Sequence, residues 1–163
     1  MNNQTKTVKV EMLKMDKLND AILKATANRS RLVFFLGDKI DSQELSEHEQ
    51  LNLNKSLSEL LINMPKSERA RSVERLVSSL INEASADEVV VNGLEILFDR
   101  SLAIDPVRLF EAWSKNKTLL VRWPGDKTNS GLSYALPSHP EYRSYRPADL
   151  SDVILLESDE AIH

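Results

Sequence analysis

Three short apolar runs without alternation limit what this chain can fold into. The first is LVFFL at 32–36, and similar runs occur at 89–91 (VVV) and 118–123 (TLLVRW). A strand that is apolar on both sides is typical of a parallel sheet with both faces covered, because a strand with one wet face alternates polar and apolar residues. The runs therefore predict a buried, mostly parallel sheet.

Amphipathic helices are predicted between these runs. In DPVRLFEAWSKN, Asp105 is placed as the N-cap and Pro106 at the first helical position, where its missing N–H costs nothing. The other predicted elements are, in chain order, a helix at 8–27, a strand at 51–54, helices at 56–63 and 67–83, and a strand at 152–156.

This alternation of strands and helices predicts a three-layer α/β domain, with a mostly parallel sheet between helices and right-handed crossovers. We divide the chain into an N-terminal amphipathic helix at 1–30, the α/β domain at 31–156 and an acidic tail at 157–163. The N-terminal helix carries an excess of lysines, in contrast to the rest of the chain.

Composition excludes several classes of function. The net charge of −4 and the sequence pI of about 5.4 argue against a general nucleic-acid-coating protein, which needs excess Lys and Arg. The chain has no cysteine, so disulfides, thiolate metal sites and Cys nucleophiles are excluded. No apolar run approaches the ~20 residues that span a bilayer. We expect a cytoplasmic protein without a membrane partner.

Gly37 directly follows the first apolar run, as does the first glycine of the phosphate-binding motif G-x-x-x-x-G-K-[ST]. Ser42 then stands at the second glycine, Gln43 at the lysine and Glu44 at the hydroxyl residue. A carboxylate at that last position would repel phosphate oxygens. The vestigial cofactor-binding residues are therefore Gly37, Lys39 and Ser42, of which the last two would have to replace the missing lysine and hydroxyl.

The segment EVVVNGLEILF resembles the strand that carries the magnesium-holding Asp in the same class of enzyme. Asn92 occupies the Asp position, and an amide brings no negative charge to a metal. We predict no metal ligand here. Glu95, three residues later, is the candidate catalytic base if the protein is active. The joint loss of lysine, hydroxyl and Asp predicts a P-loop-NTPase-like fold without hydrolysis.

Four segments carry a family resemblance: LNLNKSLSELLINMP, VVVNGLEILFD, AIDPVRLFEAWSKNKTLLVRWPGD and GLSYALPSHPEYRSY. They resemble the BrxF family, small P-loop proteins of BREX bacteriophage-exclusion systems, over about 32–145. The resemblance implies a nucleotide-binding loop, from which this chain departs at Gln43, Glu44 and Asn92. It also implies partners among larger BREX components, including an ATPase, a DNA methyltransferase and a phosphatase-like protein.

Two groups of residues are candidates for contact with a partner or with nucleic acid. Arg and Tyr side chains stack on bases and anchor protein interfaces. The alternatives are an ordered loop over the end of the sheet, held by prolines, and a solvated helix face. The candidates are Arg71 and Arg75 on a helix, and His139, Tyr142, Arg143, Tyr145 and Arg146 in SHPEYRSYR.

Three functions follow from these patterns. The first is a non-catalytic accessory or assembly subunit of a BREX-type phage-defence complex, with no cofactor. The second is a weak or partner-activated ATPase that uses ATP and Mg²⁺. The third is a DNA-binding accessory protein that uses the basic N-terminal helix and the candidate contact residues. Each is compatible with a homo-oligomer, in which sites are completed across subunits.

Overall fold

A computed structural model describes residues 17–36, 45–129 and 131–157. Five strands form a parallel sheet in the order β2-β3-β4-β1-β8, and three form a small antiparallel sheet in the order β5-β6-β7. The strands are β1 (Leu32–Leu36), β2 (Glu49–Asn52), β3 (Glu88–Asn92), β4 (Thr118–Arg122), β5 (Asp126–Thr128), β6 (Gly131–Tyr134), β7 (Arg143–Tyr145) and β8 (Val153–Glu157).

Helices flank the large sheet. In chain order they are α1 at 17–26, α2 (Leu53–Leu61), α3 (Lys66–Glu83) and α4 (Pro106–Trp113), with short 3-10 turns at Glu95–Phe98, Arg100–Leu102 and Pro147–Leu150. The Asp105 carboxylate accepts from the backbone N–H of Val107 at 3.2 Å, so the predicted N-cap of α4 is confirmed. The part of the predicted first helix before residue 17 lies outside the described residues.

Each face of the sheet has its own apolar layer, because successive strand side chains point to opposite sides. From β1, Leu32, Phe34 and Leu36 join the layer covered by α2, α3 and α4. Val33 and Phe35 join the opposite layer, beneath α1. All five residues of β1 are buried. The predicted three-layer α/β arrangement with a mostly parallel sheet is confirmed.

The predicted strand at 51–54 is displaced in the structure. The strand is β2, Glu49–Asn52, and Leu53 already belongs to α2. Asn52 ends the strand because its side chain accepts from the N–H of Lys55 at 3.1 Å and caps the helix. Leu53 is fully buried on the inner side of α2. The alternating LNLN pattern therefore covers the end of a strand and the first turn of a helix.

The segment SHPEYRSYR is not only an ordered loop, because β7 lies within it and pairs with β6 in an antiparallel sheet. Its strands are only three or four residues long and are flanked by prolines, which hides the alternation that marks a strand. Gly131, at a φ of +149°, lets β6 and β7 approach, since a Cβ there would lie 1.7 Å from the carbonyl oxygen of Tyr145.

None of the helices in the described parts of the chain has the length and apolar character needed to cross a membrane.

Candidate functional site

The carboxyl ends of β1 and β4 lie side by side, and described residues that follow the two strands pack on opposite faces of the sheet. After β1 the chain reaches Leu45, which packs in the layer beneath α1. After β4 it enters the small sheet, whose Leu132 and Tyr145 pack in the other layer. In open α/β sheets such a switch in direction leaves a crevice beyond the strand ends, where ligands bind. We call the space beyond β1 and β4 the switch-point crevice.

The predicted phosphate-loop residues Gly37, Lys39 and Ser42 lie outside the described residues, as do Gln43 and Glu44. Their role remains a prediction. The described chain ends at Leu36 on β1, beside the crevice, and resumes at Leu45.

Asn92, which the sequence predicts to stand at the Asp position of the magnesium motif, lies at the carboxyl end of β3, and both ends of its amide make hydrogen bonds. Its Oδ1 accepts from Nε of Arg122 at 3.1 Å, and its Nδ2 donates to Oε1 of Gln50 at 2.9 Å. The Gln50 Nε2 in turn donates to the carbonyl of Leu45 at 2.7 Å. Because a guanidinium only donates, it fixes the orientation of each amide in this chain of bonds. The set Arg122, Asn92, Gln50 is called the amide relay below.

Arg122 was not singled out from the sequence, where it is the penultimate residue of an otherwise apolar run. It ends β4 in register with Phe35 of β1. Its guanidinium carbon lies 4.7 Å from the centre of the Phe35 ring, a cation–π distance. The side chain is only partly exposed. A charged residue inside a buried strand was the signal that could have identified it.

Glu95, the candidate base, is exposed in the turn after β3 and is held by Asn54. The Asn54 Nδ2 donates to the Glu95 carboxylate, and the Asn54 Oδ1 accepts from the N–H of Ile96 at 2.9 Å. Asn54 also donates its own backbone N–H to the carbonyl of Gly93 at 2.6 Å. The sequence did not identify Asn54, because no local pattern pairs residues 41 positions apart.

The candidate contact residues of SHPEYRSYR separate into outward and inward groups. Tyr142 and His139 are exposed, and Arg146 is exposed beside Asp149 at 3.5 Å. Tyr145 is buried, and its hydroxyl donates to a carboxylate oxygen of Asp105 at 3.1 Å. Burial raises the pKa of Tyr145 well above its ordinary value, so it stays protonated. The hydrogen bond from Tyr145 to Asp105 therefore links the small sheet to the start of α4.

Arg143 does both. One guanidinium nitrogen donates to the carbonyl of Ile104, while the residue also lines an open groove of about 570 Å³. We call this the loop groove. Its lining is Phe98, Arg100, Pro137, His139, Pro140, Glu141, Tyr142 and Arg143.

Arg71 and Arg75 are exposed on α3, whose inner side is formed by Val73, Val77 and Ile81. Neither arginine makes an ion pair within the described part of the chain. They are not among the residues that line the loop groove.

Across 17–36, 45–129 and 131–157, no three His, Asp or Glu side chains are grouped as metal ligands would be. His48 lies against Glu88, at 2.9 Å between Nε2 and the carboxylate, and His139 lies in the loop groove. Comparisons of the chain with protein-family models, with curated proteins and with solved structures found no match.

Proposed function

We propose that this chain is a non-catalytic, P-loop-like accessory or assembly subunit of a bacterial phage-defence complex of the BREX type. The observation that carries the proposal is the engagement of Asn92 by Arg122 and Gln50. The resemblance of four segments to the BrxF family supports the biological setting. The position of β1 inside the sheet, between β4 and β8 and ending before Gly37, supports the P-loop-like fold.

Electrostatics at the amide relay argue against Mg²⁺ and ATP as a catalytic pair. A magnesium ion prefers carboxylate oxygens, and here the oxygen at the Asp position already accepts from a cation at 3.1 Å. A dication bound to that oxygen would face the guanidinium of Arg122 at close range, and like charges repel. The described residues around Asn92 therefore do not fit a magnesium site.

The loop groove supports a role in assembly. Tyr142 is 39 % exposed, and it lies with His139 and the prolines Pro137 and Pro140 around the partly inward Arg143. Aromatic and arginine side chains in a concave surface are typical of protein contact sites. The proposed partners are the other proteins of the defence system, namely its ATPase, methyltransferase or phosphatase-like components, with a homo-oligomer as a further form of assembly.

Turnover tests the non-catalytic part of the proposal. Purified protein is incubated with ATP and Mg²⁺, and phosphate release is compared between the wild type and Glu95→Gln. We expect the same background rate for both, because Asn54 already binds the Glu95 carboxylate. Hydrolysis by the wild type that disappears in Glu95→Gln would overturn the proposal. Hydrolysis that appears only when a partner is added would favour the partner-activated ATPase.

Pull-down with the products of neighbouring genes tests the assembly role. Tyr142→Ala is expected to weaken capture at least tenfold, the effect of losing an aromatic anchor of an interface. Leu23→Ala is the matched control, because Leu23 is 68 % exposed on α1 and does not line the loop groove. Equal capture by wild type and Tyr142→Ala would remove the loop groove from the contact surface.

DNA binding is a second candidate function, favoured by Arg71 and Arg75, which are exposed on α3 and make no ion pair with any residue that the structure describes. Contacts with phosphates release counterions, so affinity for DNA would fall steeply as salt rises. The double variant Arg71→Gln, Arg75→Gln would flatten that dependence. Affinity without a salt slope would rule this function out.

A further inference from the structure

Asn92 and Gly93 form the only Asn-Gly pair in the sequence. In such a pair the backbone nitrogen of the glycine can attack the side-chain amide of the asparagine, because glycine has no Cβ to block the approach. A bond forms between that nitrogen and Cγ of Asn92, the bond from Cγ to Nδ2 breaks, and Nδ2 leaves as ammonia with the proton of the Gly93 N–H. Water then opens the cyclic imide and gives aspartate or isoaspartate.

Pairing within the sheet holds the backbone of Asn92 in a conformation from which this ring does not close. Asn92 is the last residue of β3 and lies in register with Asn52 of β2. In a strand the side chain points out of the pleat, away from the peptide groups that run along the strand. Residue 92 would have to rotate out of the strand before the nitrogen of Gly93 could reach Cγ. The reaction therefore requires local opening at the end of β3.

The amide relay adds a second restraint, on the side chain itself. Oδ1 of Asn92 accepts from Arg122 on β4, and Nδ2 donates to Gln50 on β2, so the amide is bonded to both neighbouring strands. Rotation of the amide toward Gly93 breaks both bonds. The guanidinium also polarises the carbonyl, but polarisation helps only an attacking atom that is already in place. The restraint on position therefore outweighs the polarisation while the relay is intact.

The turn after β3 has no room for the modified chain. The Gly93 carbonyl accepts from the N–H of Asn54 at 2.6 Å, and a Cβ added at Gly93 would lie 2.5 Å from Oδ1 of Asn52. Isoaspartate routes the main chain through the Cβ of residue 92, which adds one carbon to the backbone and displaces Gly93. Because Asn54 also donates to the Glu95 carboxylate, the displacement would reach that side chain.

We propose that Asn92–Gly93 is a latent deamidation site, which the amide relay keeps unreacted in the folded protein. The inference goes beyond the proposed function, because it concerns the chemical lifetime of the residue on which that function depends. When the bonds to Arg122 and Gln50 open, residue 92 loses its amide and gains a negative charge. The relay thus has a protective role in addition to its orientation of the Asn92 side chain.

The test follows the loss of the Asn92 amide by peptide mapping and mass spectrometry, during incubation of the full chain at neutral pH. Loss is expected to be fastest in urea-unfolded wild type and slowest in folded wild type. Gln50→Ala removes the acceptor of Nδ2 at an exposed position of β2. It is expected to speed the loss about threefold to tenfold, the effect of one missing hydrogen bond. Gln50→Glu keeps an acceptor oxygen, so it is the matched control and should react as slowly as the wild type.

Two further variants separate the relay from global unfolding and from polarisation. Phe34→Ala weakens the buried core but leaves the relay in place, and it is expected to lose the amide more slowly than Gln50→Ala. Arg122→Gln removes the guanidinium from Oδ1 and is expected to speed the loss, because the restraint on position is the larger effect.

Four results would overturn the inference. They are equal rates in folded and unfolded wild type, a Gln50→Ala rate equal to that of the wild type, a Phe34→Ala rate as high as that of Gln50→Ala, and slower loss in Arg122→Gln than in the wild type. The last would show that the guanidinium promotes the attack instead of restraining the amide.

Discussion

The side chain of Arg122 on β4 donates to the side-chain oxygen of Asn92 on the neighbouring strand β3, at 3.1 Å. This bond joins a permanent cation to the residue that we predict from the sequence to stand at the position of the magnesium-holding Asp of P-loop enzymes. Because a guanidinium only donates, the bond fixes the orientation of the Asn92 amide. The two side chains therefore form one unit at the carboxyl ends of β3 and β4.

Asn92→Asp is expected not to create an ATPase. The new carboxylate would accept from Arg122 and be neutralised by it, so it would not be available to magnesium. The measurement is phosphate release with ATP and Mg²⁺, compared with the wild type. Turnover gained by this single change would mean that the Arg122 guanidinium does not control the site.

Phe34→Ala is expected to lower the free energy of unfolding by about 3–5 kcal/mol, the usual cost of removing a buried aromatic ring. Phe34 is fully buried, and its ring lies 6.2 Å from Phe110 and 5.3 Å from Trp123. Urea unfolding measures the change. Leu23→Ala is the control, because its side chain is 68 % exposed and its loss should change stability by about 0.5 kcal/mol or less.

Gly93→Ala is expected to destabilise the protein by at least about 1 kcal/mol, because Gly93 has a φ of +63° and an added Cβ would lie 2.5 Å from Oδ1 of Asn52. Since Asn52 caps α2, the clash would also disturb the start of that helix. The midpoint of thermal unfolding measures the effect. An unchanged midpoint would show that the strand end relaxes freely.

Ala103→Gly is the converse change. Ala103 has a φ of +53° at the end of the 3-10 turn Arg100–Leu102, where glycine carries no steric penalty. We expect a gain of up to about 1 kcal/mol in the free energy of unfolding, since the left-handed conformation costs a residue with a Cβ roughly 1–2 kcal/mol. Urea unfolding with the same slope as the wild type would show that only the native state changed.

Glu111→Gln is expected to raise the free energy of unfolding above that of the wild type, and to do so more at pH 7 than at pH 4. Burial, and then the nearby Asp152, raise the pKa of Glu111 above its ordinary value of 4.5, while Arg108 opposes the shift. The folded chain therefore holds this proton more tightly than the unfolded chain, and stability is lost as pH rises from that value through the raised pKa. The glutamine side chain does not ionise, so the variant lacks this loss of stability.

Unfolding midpoints at several pH values from 4 to 7 measure the effect of Glu111→Gln. Glu74→Gln, an exposed glutamate on α3, serves as the control and should show the pH dependence of the wild type. A difference between Glu111→Gln and wild type that stays constant with pH would contradict the expectation.

The sheet was predictable because its strands are apolar on both sides. LVFFL and VVV are buried in β1 and β3, the first four residues of TLLVRW are buried in β4, and no local pattern competes with that signal. The helix that starts at Pro106 was equally clear, since Asp105 and Pro106 act within one turn. The small sheet was not predictable, because its pairing depends on contacts such as that of Gly131 with the carbonyl of Tyr145, which bring together residues distant in sequence.

The candidate site was likewise predictable from the sequence only in part. The absence of a carboxylate at Asn92 could be read from the sequence, but its two partners could not. Gln50 and Arg122 lie 42 and 30 residues away along the chain, and only the strand order brings them together. Likewise, Tyr145 and Tyr142 look alike in the sequence, and only packing against Asp105 distinguishes a buried support from an exposed contact.

Trp123 directly follows Arg122 and connects the crevice to the small sheet. Its Nε1 donates to the carbonyl of Ser133 at 3.0 Å, and its ring packs edge-on against Phe98 and Tyr145, each at 5.8 Å. Phe98 also lines the loop groove. Phe98 in the loop groove and Tyr145 in the small sheet therefore rest on one aromatic ring, the Trp123 indole. Neither the groove wall nor the small sheet can shift far without repacking that indole.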